Sequence, residues 1–186
     1  MRRSFLLLAV FAQAVFAADP LATAAQAKLD LIADRKTTPG SVLTFSTQEI
    51  NAWVLMKLPK AVPTGLRNAR IEPGAGVADA YALVDFLKMS QAKGKQVNFL
   101  IAKLIEGERP LKVSLRIESA KGRCTVFLTR VELSNIAVSG GALDLLIKTF
   151  FTPLYPDAHI NEPFDLMDNI DRIEVQPSGV RVVIKK

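Results

Sequence analysis

Few residues in this chain of 186 could carry out bond chemistry, because it holds one histidine, His159, and one cysteine, Cys124. A lone histidine excludes a multi-histidine metal centre. Its neighbours Asp157 and Asn161 lie among turn-forming residues, which describes a solvated loop rather than a general base held by an orienting acid. Cys124 sits in the apolar run Cys124-Thr125-Val126-Phe127-Leu128, where it reads as a small buried hydrophobe. It can form no intramolecular disulfide, and no acid is assigned to orient a Cys124–His159 pair. Asp165, Asp168, Asp171 and Glu174 recur at every third position between Phe164, Met167, Ile170 and Ile173, the pattern of a half-exposed segment rather than of an oxygen-rich calcium loop. Gly74-Ala75-Gly76 lacks the third glycine, the lysine and the following helix of a phosphate loop, and Gly140-Gly141 reads as the flexible start of a helix. These residues predict no catalytic site, no metal site and no cofactor.

The remaining candidates are apolar. Trp53, Phe86, Phe99, Phe127, Phe150 and Phe151 are each ordinary core residues singly, and together they are candidate lining for a groove between a helix and a sheet. The elements that would position them follow from periodicity. Leu21, Ala25, Leu29 and Ile32 mark one face of an N-terminal helix that ends near Thr37-Thr38-Pro39-Gly40. Ser46-Thr47-Gln48-Glu49 has the form of a capping box, and Ile50, Trp53, Val54 and Leu58 continue from it at helical spacing until Pro59 stops the helix.

Beyond the loop that follows, the period changes to that of strands. Leu66 to Pro73 and Gly76 to Met89 form a hairpin around Glu72-Pro73-Gly74-Ala75-Gly76. A short helix covers Val97 to Ile105. Leu111, Val113, Leu115 and Ile117 alternate strictly with polar residues, so this strand has one apolar face, and Ala120-Lys121-Gly122 turns it back into Thr125 to Leu133. A second short helix spans Ala142 to Phe151, with Leu143, Leu146, Ile147 and Phe150 inward, and Ile170 to Val175 pairs with Val180 to Ile184 as a last hairpin. The class is α+β: N-terminal helices packed on a long, twisted antiparallel sheet of about three hairpins, with two short interrupting helices.

Residues 1–17 read as a secretory signal peptide: Arg2 and Arg3, an uncharged stretch from Phe5 to Phe16, then small Ala17 and Ala18, with cleavage after Ala17. About a dozen apolar residues are too few to span roughly 30 Å of hydrocarbon as a helix. The expected product is a soluble periplasmic or secreted single domain of residues 18–186, without a cysteine for lipidation at the cleavage point. Cleavage removes two of the 24 basic residues and none of the 18 acidic ones, so the formal charge falls from +6 to +4. The basic residues are dispersed, which suits transient contact with an anionic membrane surface and not nucleic-acid binding. No feature sets an oligomeric state.

The Ser46-x-x-Glu49-x-Asn51 element, the order of helix, hairpins, alternating strand and short helix, and the terminal hairpin with Gly179 resemble small bacterial envelope proteins of the tubular lipid-binding superfamily, over roughly residues 20 to 185. The resemblance implies a long curved sheet wrapped on a helix, a phospholipid or acyl-chain ligand in an apolar groove, and no catalytic residues. The competing expectation is an envelope interaction or assembly module with a solid core, which docks partners through an exposed strand edge or a basic face.

Overall fold

The computed structural model describes residues 19–61, 64–92, 107–152 and 160–186. The expected signal peptide, the expected helix at 97–105 with Phe99, and His159 lie outside the described residues, as does the side chain of Phe150. The fold is α+β, with its strands in two open antiparallel sheets rather than one.

Helix α1 (Pro20–Ala33) starts where the Asp19 carboxylate accepts the Leu21 N–H at 2.8 Å and Pro20 occupies the first turn. Its buried face carries Ala22, Ala25 and Ile32, while Leu21 is exposed. Ala25 and Ile32 of the expected stripe are therefore buried and Leu29 packs against them, and only in the first turn does the inward position pass from Leu21 to Ala22. Strand β1 (Val42–Ser46) runs directly into α2 (Thr47–Ala61). Pro59 stands inside α2 instead of ending it. So close to the C-terminus its missing N–H costs only the bond to the carbonyl of Leu55, which lies on an exposed part of the helix.

The larger sheet begins with the expected hairpin, β2 (Leu66–Pro73) and β3 (Val77–Val84). The second segment does not stay extended to Met89. Asp85 accepts the Lys88 N–H at 2.9 Å and starts helix α3 (Phe86–Ala92). Strands β4 (Arg109–Ala120) and β5 (Arg123–Leu133) form the long central hairpin around Lys121-Gly122, both with positive φ. Then come β6 (Ile136–Ala137), helix α4 (Gly140–Leu146) continuing as a π turn to Phe151, β7 (Pro163–Asp165), β8 (Ile170–Gln176) and β9 (Gly179–Ile184). The six-stranded sheet has the order β2-β3-β4-β5-β6, with β7 on the other end of β5. The terminal hairpin does not join it. It forms a three-stranded sheet, β1-β9-β8, with the strand that precedes the capping box.

Two cores result. Ala25, Ile32, Phe45, Ile170, Val182 and Ile184 pack α1 and the small sheet together, with Ile50 and Trp53 of α2 against them. Val84, Phe86 and Met89 form the second under α3, flanked by Leu111, Leu133 and Leu146. The outer edge of β8 meets the hairpin turns of the large sheet: Gly76 N–H donates to Val175 O at 3.0 Å, Gly122 N–H to Asp171 O at 2.6 Å, and Ile173 N–H to Ser119 Oγ at 2.9 Å.

Candidate functional site

One face of the large sheet is the floor of an apolar cavity of about 420 Å³. Leu111, Val113 and Leu115 of β4 contribute alternate residues, as their spacing requires. Val126, Leu128 and Val131 of β5 would fall out of phase in a regular strand. A bulge restores them: Ser114 pairs with Arg130 and Leu115 with Leu128, so Thr129 is the extra residue and Val131 returns to the floor. Ala80 and Val84 of β3 and Leu66 of β2 complete it.

Short helical pieces supply the walls: Leu58 near the end of α2, Phe86 and Met89 of α3, and Leu143, Leu146 and Ile147 of α4 with its π turn. Phe151 and Ile160 add to the rim, and among the described residues every lining side chain is apolar. The approach of β2 to α3 depends on Gly65, whose φ is +88° and at which a Cβ would stand 2.6 Å from Asp85 O.

Phe86 and Phe151 are the two sequence-predicted residues that the structure brings together at this cavity. Trp53 lies in the other core, where its indole N–H donates to Gln26 Oε1 at 2.9 Å and ties α2 to α1. Phe127 faces the opposite side of the sheet, beneath the guanidinium of Arg116 at 4.0 Å from the ring centroid. Aromatic size was therefore a poor guide. The residues that sequence reasoning left out are aliphatic, and the signals that could have found them are the alternation of Leu111, Val113 and Leu115 and the helical spacing of Leu143, Leu146 and Ile147.

The sheet's outer face is a ladder of paired charges. Asp79 accepts from Ser114 Oγ at 2.6 Å and pairs with Lys112 at 3.1 Å, and Arg70 stacks on Tyr81 at 4.0 Å while pairing with Glu72. The Ser114 hydrogen bond lowers the Asp79 pKa against the effect of burial, with Lys112 helping, and Lys112 is itself held protonated by Asp79. Such a lysine is no general base for Ser114. Burial raises the Cys124 pKa, opposed by a hydrogen bond with Ser119, so the thiol stays protonated within the strand.

The acids spaced by three all have arginine partners: Asp165 with Arg123, Asp168 with Arg35, and Asp171 and Glu174 with Arg172. The backbone donors of the Gly74 turn are likewise occupied, Gly74 N–H by Val77 O and Gly76 N–H by Val175 O.

The element at 46–51 holds α2 across both cores. Ser46 N–H donates to Glu49 Oε2 at 2.8 Å and Glu49 N–H to Ser46 Oγ at 3.1 Å, the reciprocal capping box. Lys28 donates to Glu49 Oε1 at 2.6 Å and to Thr44 O at 2.7 Å. Burial raises the Glu49 pKa, but the hydrogen bonds from Lys28 and Ser46 outweigh it and leave the carboxyl below its ordinary value. Asn51 reads the edge of β2 as a peptide would: its Oδ1 accepts the Ile71 N–H at 2.6 Å and its Nδ2 donates to Ile71 O at 2.9 Å. The clamp fixes α2 beside the large sheet, and Leu58 reaches the cavity two turns later.

No protein-family model matches this chain, and comparisons with curated proteins and with solved structures give no match.

Proposed function

We propose that this protein is an exported, non-enzymatic carrier that buries the apolar part of a phospholipid or another acyl-chain ligand in the cavity between the large sheet and α2, α3 and α4. The carrying observation is a cavity of about 420 Å³ whose lining among the described residues is entirely apolar. Its size falls within the roughly 300–1,000 Å³ of small-molecule sites. A lining without polar groups favours a hydrocarbon chain, at about 0.8 kcal/mol per methylene removed from water. The head group of such a ligand would stay at the rim, because the described lining side chains offer it no hydrogen-bond partner. This reading agrees with the resemblance to tubular lipid-binding proteins.

Export after cleavage at Ala17 is supported by the helix cap at Asp19, which lies two residues downstream of the cleavage point. No helix among the described residues is long and apolar enough to cross a membrane.

Two observations weigh against the alternative of a solid-core docking module. Among the described residues the interior holds an apolar cavity, and several outward backbone groups at the sheet edges already have partners. Lys28 and Glu49 take the outward Thr44 O and Ser46 N–H of β1, Asn51 covers β2 at Ile71, and β6, β7 and the Asn161 side chain cover β5.

Organic extraction of protein purified from its native export route, followed by mass spectrometry, tests the proposal. An acyl lipid present in stoichiometric amount is expected; protein that is repeatedly free of lipid and takes none up would overturn it.

A further inference from the structure

The amide of Asn51 is engaged on every side. Its Oδ1 accepts the Ile71 N–H at 2.6 Å, and its Nδ2 donates both to Ile71 O and to Thr47 O one turn back in α2, each at 2.9 Å. The bond to Thr47 holds the side chain in the orientation that meets the edge of β2. Both groups of one backbone residue are satisfied because an amide carries a donor and an acceptor; an aspartate here could accept the N–H but give nothing to the carbonyl.

The place that Asn51 grips leads straight to the cavity. Ile71 pairs with Ala80, Ala80 with Val113 and Val113 with Val131, a single row across β2, β3, β4 and β5. Ala80, Val113 and Val131 all belong to the floor. Asn51 thus holds α2 on the outer end of a floor row. Leu58 follows seven residues later, about two full turns, so it leaves the same face of the helix and reaches the cavity wall. Trp53 leaves α2 about 160° away from Asn51 and is bonded to Gln26 in the other core. The rotation of α2 is therefore fixed from two opposite sides.

From this arrangement we infer that Asn51, which lies outside the cavity lining, is a positioning residue for the ligand: its bonds to Ile71 set Leu58 over the floor and thereby set the affinity for an acyl chain. The inference rests on the acyl-carrier reading. Without these bonds α2 lifts from the edge of β2, and each ligand methylene that Leu58 no longer covers costs about fourfold in affinity. Linkage is reciprocal, so a bound chain that needs Leu58 in place strengthens the hold of Asn51 on Ile71.

Titration of cis-parinaric acid, a fluorescent fatty acid, into the wild type, Asn51→Ala, Leu58→Ala, the double variant and Val182→Ala tests it, well below the melting temperature of each. Asn51→Ala and Leu58→Ala should each bind about fourfold or more weakly. The double variant should lose little beyond the weaker single one, because both changes remove the same piece of wall. Val182→Ala, which opens space in the small-sheet core, should bind as the wild type does although its melting temperature falls. One measurement needs no variant: in the wild type, saturating probe should slow hydrogen exchange of the Ile71 N–H by about the factor that Asn51→Ala loses in affinity.

A folded Asn51→Ala that binds as the wild type does overturns the inference. So does a double variant whose loss is the product of the two single losses, a Val182→Ala that weakens binding equally, or an Ile71 N–H whose exchange the probe leaves unchanged. The carrier reading fails at a different point: a wild type that takes up no probe overturns that reading, and this inference with it, before any variant is compared.

Discussion

The two cores are built from the same kinds of side chain and differ in how completely they close. Around the small sheet, α1 and the first half of α2 lay a continuous helical surface on three short strands, and Ala25, Ile32, Phe45, Val182 and Ile184 interdigitate. Around the large sheet, two strands of 12 and 11 residues present a long apolar face. The described helices that cross it, α3 and α4, have only 7 residues each. At 1.5 Å per residue such a helix covers about 10 Å, whereas a 12-residue strand extends for about 40 Å. Among the described residues, helices this short, even with the π turn after α4 and the end of α2 beside them, leave part of the floor without a covering side chain. The lesson is that a cavity can arise from a mismatch of element lengths, with no special residue at its centre.

Breaking the closed end should have the largest effect. Gly179 has φ +142°, and a Cβ there would lie 2.0 Å from Phe45 O, where β9 passes the end of β1. Gly179→Ala should destabilise the fold by about 3 kcal/mol or more, or prevent folding, as read by denaturant titration. A variant of wild-type stability would show that β1 and β9 do not meet in this way.

Uncoupling the two ends should cost less. Asn51→Ala leaves the N–H and carbonyl of Ile71 without their side-chain partner, at about 1–3 kcal/mol for each group that water does not reach. The same variant should raise hydrogen exchange along β2 while leaving the β1–β9 pairing protected. Equal loss of protection in both sheets would contradict the role of Asn51 as the link between them.

The smallest effect is pH-dependent. Because the folded Glu49 carboxyl lies below its ordinary value of 4.5, its stabilisation is present in full above that pH and is lost as pH falls through the folded value. Glu49→Gln should therefore be less stable than the wild type near neutral pH, and the gap should narrow in acid. A gap that does not change with pH would assign the loss to packing instead of to the Lys28 ion pair.

Much of the frame was legible in the residues. The capping box, the turns at Gly74–Gly76, Lys121-Gly122 and Pro177–Gly179, and the alternation of β4 are local signals, and each appears where its chemistry requires. What escaped is non-local. That Val42–Ser46 would form a strand and draw the terminal hairpin out of the long sheet by pairing with β9 depends on partners more than 130 residues apart in the chain. That Asp85 would convert a strand into a helix depends on a cap whose helix is short and weakly patterned. The candidate site was legible as a class, an apolar groove, but of its lining only Phe86 and Phe151 were. Trp53 is drawn to α1 by a hydrogen-bond partner, and Phe127 is placed on the outer face by its position in β5. Neither fact is written in the size of the ring.

The central claim is that the space over β4 and β5 takes up an acyl chain. Titration of a fluorescent fatty acid into the wild-type protein and into Val113→Trp, where the added indole would occupy the cavity from its floor, tests it most directly. The account predicts saturable binding with one probe per chain in the wild type and at least about a tenfold loss in the folded variant, since several buried methylenes at about 0.8 kcal/mol each would be displaced. No saturable uptake by the wild type, or uptake that the added indole leaves unchanged, would contradict it.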